Sequence, residues 1–220
     1  EALREAYAAT RLAEESAARL ARHDPLTGLF NRRHMSERIN ELARIDESHH
    51  ALRYFIYVID LDRFKPINDL HGHAAGDAVL CTIADRLQAL VHEDDVVARL
   101  GGDEFAVLAG IRDNPGDNPG DNPRGDSGGN PGSAQIDAAI LADRIAQAIC
   151  TPLKTGHCRI EVGCSIGVAL FGRDGEDADS LIRSADAAMY RAKAQPAVRF
   201  QFFEESMREE LRRKAELEVD

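Results

Sequence analysis

Residues 54–59, Tyr-Phe-Ile-Tyr-Val-Ile, form an unbroken apolar, β-branched and aromatic run, the pattern of a strand buried on both faces. The run stops at Asp60. Over 74–91 the apolar positions change to helical period, with Val79, Leu80, Ile83, Leu87 and Leu90 on one face. Residues 96–100 and 105–109 read as two strands joined at Gly101 and Gly102, a hairpin with an acidic pair at its turn. Helical period returns over 136–149 and 178–194, alternation over 158–170 predicts a strand, and 198–203 is a short last strand. A compact loop at 26–33 leads into a first helix that runs to about Ile45. The order helix, strand, helix, strand, strand, helix, strand, helix, strand predicts an α+β fold, with helices flanking a central, mostly antiparallel five-stranded sheet.

The flanks differ in kind. Residues 1–22 place Leu3, Ala6, Thr10, Ala13, Ala17 and Leu20 at three- and four-residue steps. This thin seam suits either a linker helix that pairs with its own copy or an ordinary surface helix. His23-Asp24-Pro25 ends it, because proline disfavours helix at the preceding residue. Residues 204–220 read as a charged connector helix with Met207, Leu211 and Leu217 as sparse apolar positions; its pattern has not ended at the last residue, as in a piece of a longer protein. The domain proper is therefore expected at 23–203. Within it, 113–132 repeats Asp-Asn-Pro-Gly and reads as a low-complexity surface insertion. It lacks the apolar position that each turn of a calcium-binding β-roll needs.

With 220 residues, 44% of them hydrophobic, the chain can bury one core. Its net charge of −11 argues against a nucleic-acid partner, which calls for a basic face, but leaves room for a nucleotide that arrives with its own cations. No apolar run approaches the ~20 residues of a membrane span, and no signal peptide opens the chain, so a soluble, cytoplasmic domain without membrane contact is expected, whatever anchors its parent protein. Cys81, Cys150, Cys158 and Cys164 form no CxxC pair and read as reduced core residues rather than disulfides or zinc ligands.

Gly101 and Gly102 can adopt positive φ and let a nucleotide approach the backbone, while Asp103 and Glu104 follow at once. A solvated hairpin turn would look the same. Asp60 separates the alternatives, since a carboxylate ending a central strand is costly unless paired or bound to metal. If the hairpin lies beside that strand, two carboxylates and a backbone carbonyl can hold Mg²⁺ or Mn²⁺. Two such ions about 3.5 to 4 Å apart can clamp the attacking and leaving oxygens of a nucleotidyl transfer. Lys65 reads as a phosphate contact or a solvated loop lysine. Asn68 and Asp77 suit the edge of guanine, though each can equally cap a helix or form a turn. His73 is a substrate contact or a packed loop histidine.

Six runs, at 24–33, 60–69, 72–77, 99–105, 165–169 and 185–193, resemble the GGDEF family of diguanylate cyclases, in order and over roughly residues 23–195. They include Asp-Pro-Leu-Thr-Gly-Leu-Phe-Asn-Arg-Arg, Asp-Leu-Asp-Arg-Phe-Lys-Pro-Ile-Asn-Asp and Arg-Leu-Gly-Gly-Asp-Glu-Phe. The resemblance implies a nucleotidyl-cyclase, palm-like fold and condensation of two GTP molecules to cyclic di-GMP and pyrophosphate, with each subunit of a homodimer presenting one GTP. It implies Asp60, the Leu61 carbonyl, Asp103 and Glu104 as metal ligands, and Asp103 as the base for the 3′-hydroxyl. That last role is weakened because a metal-bound carboxylate is a poor base and the metal itself acidifies the hydroxyl. Asn68 and Asp77 would read guanine, and Lys65 and Lys193 would meet phosphate.

Two departures stand out. The family's product-inhibition motif, Arg-x-x-Asp, is replaced by His92-Glu-Asp-Asp95, and the family's Gly-Arg-Asn by Pro196-Ala-Val198. Without the bidentate guanidinium, feedback inhibition by cyclic di-GMP is expected to be weak or absent; tight inhibition that His92→Ala abolishes would contradict this. The connector at 202–218 resembles the one that leads into an attached phosphodiesterase (EAL) domain, with a sensory region expected elsewhere in the parent. A catalytically silent GTP-binding module that controls such a domain is therefore the alternative to an active cyclase.

Overall fold

The computed structural model describes Tyr7 and residues 19–44, 52–112, 131–155, 158–195 and 197–207. The seam at 1–18 apart from Tyr7, the insertion through 130 and the connector beyond 207 lie outside the described residues. Helical turns at 19–22 and 205–207 are the described parts of the two extensions. Among the described residues no helix is long and apolar enough to cross a membrane.

Strand β1, Phe30–Asn31, leads into helix α1, Arg32–Leu42; β2, Leu52–Asp62, is followed by α2, Phe64–His71, and α3, His73–Leu90. The hairpin β3, Val96–Gly101, and β4, Glu104–Arg112, precedes α4, Pro131–Cys150, and a small ribbon of β5, Leu153–Thr155, and β6, Cys158–Ile160. Then come β7, Gly163–Leu170, α5, Ala178–Lys193, and β8, Phe200–Phe202. The main sheet has the order β1-β3-β4-β2-β7-β8, antiparallel at its three inner pairings and parallel at both edges.

Side chains alternate across β2 and decide the layering. Phe55, Tyr57, Ile59 and Leu61 join α3 and α4 in one core, whereas Ile56 and Val58 join α1 and α5 in another. Burial on both faces explains the unbroken apolar run of this central strand. The Tyr57 hydroxyl is satisfied by donating to the Ala138 carbonyl of α4 at 3.2 Å.

The sheet has six strands rather than the five expected. The extra one, β1, is two residues long and too short to show a period. The expected strand at 158–170 is two strands in two sheets: β6 pairs with β5, and β7 with β2 and β8. Alternation reports faces, not partners, and it continues through the break. The first eight-residue helix after β2 was also absent from the expected order, and Pro131 and Gly132, expected in the insertion, open α4 instead.

Gly167 of β7 fixes how closely α5 approaches the sheet. A β-carbon there would fall 1.9 Å from the Ala185 carbonyl oxygen and 2.4 Å from the Met189 amide nitrogen, both backbone atoms that cannot rotate away. Gly167→Ala is therefore expected to lower stability by about 3 kcal/mol, through forced displacement of the helix that carries Lys193. Chemical denaturation checks it; a loss below about 0.5 kcal/mol would show that the helix lifts freely.

Candidate active site

The β2–β4 register places Asp60 directly opposite Glu104, and the β2–β7 register places it opposite Ser165. Opposed residues of antiparallel strands share a face, so these three side chains lie on the α1/α5 side, continuing the row of Ile56 and Val58. The Leu61 amide donates to the Asp103 carbonyl at 3.3 Å, so the turn residue lies next to the end of β2. The expected convergence of hairpin and strand is thus present in the backbone pairing.

The turn is tightly built. Gly101 and Gly102 have φ of +146° and +53°, and the β3–β4 register shifts between Arg99 and Gly101. Arg99 donates to the Gly102 carbonyl from Nε at 3.0 Å and from Nη2 at 2.7 Å. Its Nη1 donates to both Asp24 oxygens, at 3.1 and 3.3 Å. Asp24 also accepts from the Thr27 amide and hydroxyl, at 2.9 and 2.7 Å. Burial works against the Asp24 charge, but the Thr27 and Arg99 hydrogen bonds outweigh it and hold the carboxyl below its ordinary range. Arg99 and Asp24 were visible only as parts of motifs. That they form one clamp depends on a contact across 75 positions, and only the Asp-Pro-Leu-Thr turn hinted at it.

Lys193, the last residue of α5, donates from Nζ to Asp60 Oδ1 at 2.6 Å, and this bond raises the ammonium above its ordinary range. Asp60 is only 13% exposed. Arg32 reaches Glu104 Oε2 at 3.4 Å and the Leu100 carbonyl at 3.3 Å. Asp186, half-buried on α5, was not anticipated: burial, and then the charge of Glu104, push its carboxyl up to about 6. Its neutral form is favoured in the fold, so its contribution to stability is complete below the ordinary value of 3.8 and is lost as pH rises through about 6. In metal-free buffer Asp186→Asn is expected to stabilise the protein at pH 8 by roughly 1 kcal/mol, after solvent screening, and hardly at pH 4. Equal gains in melting temperature at both pH values would contradict this origin.

Asn68 of α2 packs on Gly76 of α3, where a β-carbon would fall 1.9 Å from Asn68 Oδ1. Gly76 precedes Asp77, so the two expected guanine contacts belong to touching helices. Lys65, His73 and Asp77 are exposed around this helix pair. A cavity of about 470 Å³ lies at the same end of the sheet, with Arg63, Lys193 and Arg199 as cationic groups in its wall. Arg199 was not singled out by the sequence; it follows directly on the stretch that replaces Gly-Arg-Asn.

Among the described residues no three His, Cys, Asp or Glu side chains close into a metal cage. The donor set nevertheless fits a hard divalent cation. Asp60 and Glu104 are carboxylates placed directly opposite, held by Lys193 and Arg32 respectively, and the Leu61 and Asp103 backbones meet beside them, so the oxygen donors that such an ion prefers lie together.

Around the replaced inhibition motif, Asp95 accepts from the His92 amide at 2.9 Å and from the Gly110 amide at 3.2 Å. Its oxygens therefore tie the turn to strand β4.

A six-stranded, mostly antiparallel sheet with a Gly-Gly-Asp-Glu hairpin beside Asp60 of its central strand defines an α+β domain of the cyclase type. The family described as diguanylate cyclase, GGDEF domain matches residues 21–117 and 130–199, and the chain belongs to that family. The bifunctional diguanylate cyclase/cyclic di-GMP phosphodiesterase MucR of Pseudomonas aeruginosa is 36% identical over 188 residues, 86% of this chain and 24% of MucR. The cyclic di-GMP phosphodiesterase PdeR of Escherichia coli is 32% identical over 183 residues, 83% of this chain and 24% of PdeR. The isolated GGDEF domain of TpbB (YfiN) from Pseudomonas aeruginosa has a similar structure, with TM-score 0.69 and 35% identity over 86% of this chain and 99% of that one. The chain spans about a quarter of the length of these two curated relatives.

Proposed function

We propose that the chain is a diguanylate cyclase domain that condenses two GTP molecules to cyclic di-GMP and pyrophosphate. The observation that carries this reading is the register that sets Asp60 opposite Glu104 with Asp103 at the adjoining turn. In each half-reaction the 3′-hydroxyl oxygen of one GTP bonds to the α-phosphorus of the other, the bond to the β-phosphate oxygen breaks, and pyrophosphate leaves. Asp60, the Leu61 carbonyl, Asp103 and Glu104 would hold Mg²⁺ or Mn²⁺, which when bound screens phosphate charge and acidifies the attacking hydroxyl. Gly101 and Gly102 admit the nucleotide against the backbone. Asn68 and Asp77 read guanine, and His73 lies at the rim of their helix pair. Lys65 and Lys193 receive phosphate charge, with Lys193 shared between Asp60 and the incoming phosphates. Arg199 supplies a guanidinium to the same cavity and takes over for the absent Gly-Arg-Asn arginine.

One subunit positions one GTP, so turnover needs a homodimer whose two sites face each other. The parent protein carries a sensory region and an EAL domain in this reading, and the net charge of −11 argues against a nucleic-acid partner. Incubation of the purified chain with GTP and Mg²⁺ or Mn²⁺ tests the reading: cyclic di-GMP and pyrophosphate are expected, and Asp103→Ala is expected to abolish both.

The similarity to a protein named as a phosphodiesterase, PdeR, favours a second reading, in which the domain binds GTP without turnover and controls an attached phosphodiesterase. It is supported if GTP binds, no cyclic di-GMP forms, and bound GTP alters the activity of the longer protein.

A further inference from the structure

A second cavity, of about 290 Å³, lies between the C-terminal end of α3 and the β1–β3 edge of the sheet. It stands apart from the candidate active site: Asp77 lies in the first turns of α3, whereas Gln88 in the cavity wall is about 16 Å further along the helix. Its floor is apolar, made by Phe30, Val91 and Val97. The Phe30 ring is fixed there by stacking between His23 and His34, with centroids 4.7 and 4.0 Å away, so the floor is a built surface.

The rim is polar and negative. Glu93 and Asp95 supply two carboxylates, Gln88 an amide and His92 an imidazole, and among the described residues no Lys or Arg lines the cavity. Asp95 spends one lone pair on each of the His92 and Gly110 amides, and both of its oxygens can accept again. The Gln88 and Glu93 side chains enter no hydrogen bond or ion pair among the described residues, so both are available to a ligand. Helix α3 also ends here without a basic residue in its last turn, and its terminal carbonyls and the negative end of its dipole add to the field. Anions are repelled from such a rim. A bare metal ion finds no cage, since no three His, Cys, Asp or Glu side chains converge among the described residues. A cation that carries hydrocarbon satisfies both surfaces at once, its charge at the rim and its chain on the floor.

We propose that this cavity is a binding site for a small aliphatic amine, with the ammonium group held by Glu93 and Asp95 and the alkyl chain laid against Phe30, Val91 and Val97. The ammonium has three protons to donate, which the two carboxylates and the Gln88 amide oxygen can accept. The site is independent of the cyclase reading, and its test needs neither GTP nor metal.

Isothermal titration calorimetry of the whole chain with 1,5-diaminopentane tests the proposal, with 1,5-pentanediol as the uncharged probe of the same shape. Saturable binding of one diamine per chain is expected, with Kd about 1 mM or tighter, and no saturable binding of the diol. Glu93→Gln should weaken the diamine at least about tenfold. Asp94→Asn removes the same charge from the same turn at a residue outside the cavity wall, and should change affinity by less than about twofold. Titration followed by methyl NMR should move the Val91 and Val97 signals of the wild-type chain. Absence of saturable binding, equal binding of the diol, equal losses in Glu93→Gln and Asp94→Asn, or unmoved Val91 and Val97 signals would each overturn the proposal. The wild-type titrations decide alone if a variant fails to fold.

Discussion

Arg99→Ala is expected to cost about 3 kcal/mol of stability and at least about 100-fold in cyclase turnover. Arg99 and Asp24 are 13% and 17% exposed, so their pairing is poorly screened by solvent. The substitution removes four donated hydrogen bonds at once, two to the Gly102 carbonyl and two to Asp24. It leaves a half-buried carboxylate with only Thr27 as partner, and a glycine turn at positive φ without its brace. Asp103 follows that turn directly, and displacement of a reacting group by about 1 Å can cost 100-fold in rate. The effect has a pH signature. Because Asp24 is held below its ordinary value in the fold, its contribution is present above 3.8 and is lost as pH falls through the lowered value. The stability gap between wild type and Arg99→Ala should therefore narrow in acid, by chemical denaturation at pH 7 and pH 3. A gap independent of pH would place the loss in packing instead.

Asp60→Asn is expected to lower turnover by at least about 1000-fold while the fold persists. The amide keeps the volume of the carboxylate but removes the charge that pairs with Lys193 and that would attract a divalent cation. Lys193 then loses its bond to the carboxylate, so GTP affinity should fall far less than turnover, because the ammonium becomes free for phosphate. Steady-state kinetics separate the two effects: kcat collapses and KM changes by less than about tenfold. A KM-only defect would mean that Asp60 positions substrate and nothing more.

Much of this was legible from the chain. The apolar run of β2 announced a strand buried on both faces, and its end at Asp60 announced an unusual carboxylate. The two glycines announced the turn that the structure contains. What could not be read was tertiary pairing. The two-residue β1 has no period to detect, and the alternation over 158–170 continues through a change of sheet. The Arg99–Asp24 clamp, the Arg32–Glu104 contact and the placement of Asp186 beside Glu104 join residues distant in sequence. Resemblance alone makes Lys193 a phosphate ligand, while the structure pairs it with Asp60.

The central claim, that Asp60 and the hairpin acids share a divalent cation beside a bound guanosine triphosphate, is tested most directly by Mn²⁺ binding. Electron paramagnetic resonance would follow free Mn²⁺ as it is titrated into the chain with a non-hydrolysable GTP analogue. The account expects nucleotide-dependent binding that falls at least about tenfold in both Asp60→Asn and Asp103→Asn, each acting on the same site. Equal Mn²⁺ affinity in wild type and both variants would contradict it.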